Sequence, residues 1–159
     1  MAIPLRQKAS DEPDRYGSTP AALRRDVRWD SGAISAAEAR AAVGGFLDHV
    51  RVTGRTTVPD RVVQDAQLVV SELITNAVRH APGPCGLCLE AEPRSGLVRI
   101  SVWDTSPRPP RPRPPDGRRV GGHGLEIVEA LSHSLTVTDR ESGKEITALL
   151  LLPAPSREQ

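Results

Sequence analysis

Residues 71–80 read Ser71-Glu72-Leu73-Ile74-Thr75-Asn76-Ala77-Val78-Arg79-His80 and sit inside a longer apolar-periodic run. Glu72, Asn76 and His80 recur every fourth residue, so about one helical turn separates each from the next and all three lie along one helix face. Val69, Leu73 and Ala77 form a neighbouring stripe suited to burial. A carboxylate, a carboxamide and an imidazole on the edge of a core-packed helix make a rigid chemical platform. The carboxylate suits the orientation or deprotonation of a hydroxyl. The carboxamide oxygen is a hard ligand of the kind Mg²⁺ takes while keeping waters and phosphate oxygens.

Outward from that stretch, Pro59 stands where a helix begins, and the periodicity predicts a helix from about Asp60 to His80, stopped near Pro82-Gly83-Pro84. Upstream, Ser35-Ala36-Ala37-Glu38 is a capping-box pattern opening a helix whose apolar positions are Ala39, Ala42, Val43, Phe46, Leu47 and Val50. Gly44 and Gly45 in its middle each cost about 1 kcal/mol against alanine. Ala22–Trp29 reads as a first, edge strand, and the polar residues 1–20, broken by Pro4, Pro13, Gly17 and Pro20, read as a disordered tail. Downstream, strands are expected at about 85–92 and 97–104 around a Pro-Arg-Ser-Gly turn at 93–96. A long loop over 105–120, a helix over 123–131 and strands at 134–140 and 144–152 about a Ser142-Gly143 turn follow, with a short tail over 154–159. Helices segregate from a mostly antiparallel sheet, so the fold class is α+β, a two-layer sandwich, in one domain over 21–153.

Composition narrows the function classes. The net charge is +1 and aromatic residues are 3%, a poor match to a nucleic-acid binder, which needs a basic footprint and rings for stacking. The cations are nearly all arginine, with lysine only at Lys8 and Lys144. No apolar run approaches the roughly 18 residues of a membrane span, and Met1–Ser10 has no apolar signal core, so the expected location is cytoplasmic. Cys85 and Cys88 form a single Cys-Gly-Leu-Cys pair, half the ligands of a zinc site. The pair precedes a strand rather than opening a helix, so it is expected to be buried and inert.

Two further segments complete a pattern. Ile100-Ser101-Val102-Trp103-Asp104 is an apolar strand ending in an acid, and Gly121-Gly122-His123-Gly124-Leu125-Glu126-Ile127-Val128 is a glycine cluster opening an apolar helix. A helix carrying Glu and Asn, then a strand ending in Asp, then a glycine-rich helix start resembles the Bergerat-type ATP-binding fold of gyrase, heat-shock chaperone, histidine kinase and MutL-type ATPases. The wording of 71–80 and the compact size are most similar to the anti-sigma-factor serine/threonine kinase family, over roughly residues 30–153. The fold so implied is a two-layer α/β sandwich, its mixed, mostly antiparallel sheet covered on one face by helices.

The resemblance implies ATP and Mg²⁺ as cofactors and assigns roles position by position. Glu72 would polarise the attacking hydroxyl or water, and Asn76 would coordinate Mg²⁺. Arg79 would lie near the phosphates and His80 beside the nucleotide. Asp104 would accept the adenine amino proton. Gly121, Gly122, His123, Gly124 and Leu125 would form the second glycine box, where backbone N–H groups meet phosphate. The loop over 105–120, with six prolines and five arginines, would be the lid. Two positions depart from the family's wording: Ser106 stands where Asp-x-Gly has its glycine, and Lys144 stands where many relatives place a threonine near adenine, leaving Thr147 either as the substitute or as a strand-packing residue. Glutamate at 72, where histidine kinases commonly carry asparagine, favours transfer to a hydroxyl or water. The implied partners are a sigma factor and an anti-sigma-factor antagonist, the latter phosphorylated, with the protein as a homodimer. The alternative is a nucleotide-dependent protein-binding module without phosphotransfer.

Overall fold

The computed structural model describes residues 2–5, 22–30, 35–54, 56–80, 83–105 and 124–153. Two helices come first after a pair of strands: β1 (Ala2–Leu5), β2 (Leu23–Trp29), α1 (Ala36–Thr53) and α2 (Asp60–His80). They are followed by β3 (Cys85–Glu92), β4 (Leu97–Asp104), α3 (Gly124–Leu131), β5 (Ser134–Arg140) and β6 (Gly143–Leu151). The strands form one six-stranded sheet in the order β1-β2-β3-β4-β6-β5. Among the described residues every ladder is antiparallel, so the sheet is not mixed.

The first two helices begin where their local chemistry says they should. Ser35 caps α1, its hydroxyl accepting from the Glu38 backbone N–H at 3.1 Å. Pro59 precedes α2, and its carbonyl accepts from the N–H groups of Val62 and Val63. The three helices lie side by side on one sheet face. α2 is the middle one, packed between α1 and α3 and over β4 and β6. Its stripe Ala66, Val69, Val70, Leu73, Ile74 and Ala77 is buried against Leu87, Leu89, Ile100, Val102, Ile146 and Ala148 of the sheet.

Strand parity follows from this packing, because alternate residues point to opposite faces. On β4, Val98, Ile100, Val102 and Asp104 are buried, while Arg99, Ser101 and Trp103 line the open face. The open face holds a groove of about 700 Å³ in which Trp103 lies between Arg28 and Arg140, at 5.7 and 4.8 Å from the ring centroid.

The amino terminus differs from expectation. Ala2–Leu5, expected within the polar tail over 1–20, pairs antiparallel with β2, so β2 is not the edge strand. Pro4 is compatible with this only because β1 lies at the sheet edge, where a missing N–H breaks no central ladder. The rest of that tail, residues 6–20, and the tail over 154–159 lie outside the described residues.

Cys85 faces the helices and Cys88 the open groove, three residues apart on one strand, so the pair points to opposite faces and cannot share a ligand. Burial, with the Asp104 charge adding to it, pushes the Cys85 thiol up to about 11. Burial and the carboxylate of Asp26 push Cys88 up to about 12. Both thiols thus hold their protons more tightly folded than unfolded. Their contribution to stability is complete below the unfolded value of 9.0 and is lost as pH rises through about 11 for Cys85 and about 12 for Cys88. Thermal unfolding followed from pH 8 to 11 should therefore show a falling midpoint above pH 9, with a smaller fall in Cys85→Ser; an unchanged slope in that variant would remove the thiol from the account.

Candidate functional site

One end of the sheet gathers the chemistry. α2 ends at His80 and leads into β3 at Cys85, which pairs with Asp104 at the end of β4. α3 begins after the connection that leaves β4, and its first residue touches α2. The carboxyl end of α2, the end of β4, the start of β6 and the amino end of α3 therefore meet at the same rim. Thr105 Oγ1 donates to the Pro84 carbonyl at 3.3 Å and ties two of the connections together.

Asn76 is half-buried one turn before the end of α2, and among the described residues its buried Oδ1 has no hydrogen-bond partner. Leaving a buried acceptor unsatisfied costs about 1–3 kcal/mol. An amide oxygen stranded in this way fits a hard cation or a ligand donor, so the residue present suits Mg²⁺. One turn earlier, the Glu72 carboxylate lies against α3: a Cβ built on Gly124 would stand 2.6 Å from Glu72 Oε2. Glycine at 124 thus leaves room for the acid at the amino end of α3, where backbone N–H groups favour negative charge.

The base of the site departs from expectation. Asp104 is 2% exposed, and its Oδ2 is 2.8 Å from the Nζ of Lys144, itself 2% exposed. The two are direct cross-strand neighbours on the helix-facing side of the sheet. Gly143, at φ +111°, makes that register attainable, because a Cβ there would overlap the Asp104 carbonyl oxygen. Lys144 was not among the expected site residues. Its signal was parity: it shares the buried phase of Ile146, Ala148 and Leu150, and a charge in that phase needs a partner.

The remaining expected residues divide. Leu125 packs against the core at the start of α3. Arg79 is exposed and lines a shallow groove with Ala36, Ile74, Thr75 and Val78, between α2 and the start of α1. Thr147 does not join the site. Its parity turns it to the open face, where its hydroxyl pairs with that of Ser101 at 2.9 Å, so it cannot substitute for a residue beside Asp104. Gly121, Gly122, His123, the loop over 106–120 and the side chain of His80 lie outside the described residues.

With this geometry in place, comparison with known proteins gives a consistent result. The family described as the histidine kinase-like ATPase domain matches residues 34–150. Among solved structures, the crystal structure of the RsbU and RsbW domains of Rv1364c from Mycobacterium tuberculosis is similar, with a TM-score of 0.57 and 21% sequence identity. The match covers 83% of this chain and 34% of that one, so the chain spans about a third of the length of its structural relative. Comparison with curated proteins returned no match.

The contact between Glu72 and Gly124 is testable without a ligand. Gly124→Ala should lower stability by up to about 1 kcal/mol in urea denaturation with Glu72 present, and should be neutral or stabilising beside Glu72→Ala, where alanine's helix propensity dominates. Equal effects in the two backgrounds would show that the two residues do not touch.

Proposed function

The chain belongs to the histidine kinase-like ATPase domain family, and from that premise we propose that it binds ATP with Mg²⁺ at the rim described above and acts as an anti-sigma-factor serine/threonine kinase. The observation that carries the reading is the stranded Asn76 Oδ1, one helical turn from an acid that glycine admits to the start of α3. The wording of 71–80, with Glu72 in the position of the acid, supports transfer to a hydroxyl. A partner protein's serine or threonine is the acceptor, the partner being an antagonist of the anti-sigma factor, and the bound regulator is a sigma factor. The structural likeness to an RsbW domain supports the fold on which that reading depends.

Each residue then has a physical task. Asn76 would hold Mg²⁺, which when bound supplies neutralisation of phosphate charge. Glu72 orients the incoming hydroxyl and takes its proton as the oxygen forms a bond to the γ-phosphorus. The bond from that phosphorus to the β–γ bridging oxygen breaks, and ADP leaves with the electron pair. Little covalent work falls to the protein, so positioning and electrostatics do most of it. The amino end of α3 at Gly124 would supply backbone donors for the phosphates, and Asp104 would face the base.

Two substitutions separate binding from transfer. Asn76→Ala should weaken Mg²⁺-dependent ATP binding more than tenfold by calorimetry. Glu72→Ala should leave binding near the parent value and slow γ-phosphoryl transfer, to water or to a protein hydroxyl, by about 10²–10⁴-fold. Transfer unchanged in Glu72→Ala would remove the acid from the mechanism. Binding without any turnover in the parent protein would reduce the activity to nucleotide-dependent partner binding.

A further inference from the structure

We propose that Lys144 is a base-reading residue, donating a hydrogen bond to the ring nitrogen next to the exocyclic amino group of a bound adenine. The inference rests on the nucleotide reading above and adds a second protein contact to the base. Its starting point is an imbalance. The Lys144 side chain is 3% exposed and its ammonium carries three N–H donors, yet among the described residues its one partner is Asp104, at 2.8 Å. A desolvated ammonium with donors left over is costly, and an acceptor brought by a ligand relieves that cost.

The placement limits which ligand group that is. Asp104 and Lys144 stand side by side across neighbouring strands on the helix-facing side, at the rim where Asn76 and Glu72 also lie. A carboxylate beside an ammonium offers an acceptor next to a donor. The Watson–Crick edge of adenine offers the complement, an amino donor next to a ring-nitrogen acceptor. Gly143, at φ +111° and pressed against the Asp104 backbone, holds the strand pair in the register that keeps the two groups adjacent. Lysine suits the position because its compact ammonium can rotate its donors between a carboxylate and a ligand, where the planar guanidinium of arginine is a fixed fork. This is one of two lysines in a chain with 21 basic residues.

The test uses the full chain and a pair of nucleotides, ATP and its 1-deaza analogue, in which carbon replaces the ring nitrogen in question. By calorimetry in Mg²⁺ buffer, the intact protein should bind ATP about tenfold or more tightly than the analogue, the range for a hydrogen bond to a charged group. Lys144→Met should bind both alike, at the weaker level. Because this variant leaves a buried carboxylate without its partner, Asp104→Asn/Lys144→Met is measured beside it; it buries no charge and keeps an acceptor for the amino group. It should also bind both nucleotides alike. Equal affinity of the intact protein for the two nucleotides overturns the proposal whether or not a variant folds. Discrimination that survives in a folded variant overturns it as well, since a merely structural lysine would lower both affinities and keep their ratio. An intact protein that binds neither nucleotide overturns the nucleotide reading itself, and this inference with it.

Discussion

Burial of one stripe of α2 against the centre of the sheet is the constraint from which the rest of the architecture follows. Leu73 and Ile74 are essentially inaccessible, as are Val69 and Val70 a turn earlier. A helix locked by that stripe cannot rotate, because turning it by one residue would expose leucine and bury polar groups. The edge of the same helix therefore holds Glu72 and Asn76 in fixed positions, with Glu72 against the start of α3. These polar groups are accurately placed because they ride on an element held by packing rather than by contacts of their own. The polar cost at Asn76 is small beside the apolar area the stripe buries, about 1.5–3 kcal/mol per fully buried leucine or isoleucine.

The sheet divides two electrostatic regimes. On the open face, Arg24, Arg99 and Arg140 pair with Asp26, Glu90 and Glu145 at 2.8 to 3.6 Å in partly exposed positions, where such pairs contribute about 0–1 kcal/mol each. On the covered face, Lys144 and Asp104 are both nearly inaccessible. There the desolvation cost is large and net stabilisation is not the expected reason for the pair. A buried pair at the rim proposed to take the nucleotide fits recognition better than it fits folding. The same contrast explains Cys85 and Cys88: apolar surroundings and neighbouring carboxylates keep both thiols protonated, and so unreactive.

Periodicity made most of the elements legible. The stretch 60–80 has a continuous 3.6-residue apolar pattern and a proline at its start, and the helix spans Asp60–His80. The turn residues at 93–96 and 142–143 punctuate two hairpins, and the strands end beside them. Ala2–Leu5 was illegible because four residues with a proline carry no pattern of their own; pairing with β2 makes them a strand. Thr147 was misplaced because a threonine a few residues from a glycine looks like a neighbour along the chain. In a strand, the count of residues decides the face, and three positions beyond Lys144 is the wrong one.

Local chemistry in the sequence determined the helices, the hairpins, the α+β class and the one-face alignment of Glu72 with Asn76, since each depends on spacing within a few residues of chain. What the tertiary structure alone decided was adjacency across strands and between helices. The Lys144–Asp104 pair depends on the register of β4 with β6, across 40 residues of chain, and no local pattern encodes register. The seat of Glu72 against Gly124 depends on where α3 returns to α2, which packing against β5 and β6 sets. Sequence spacing reports which side chains share a face; only the folded sheet brings a carboxylate, an ammonium and a stranded amide to one rim.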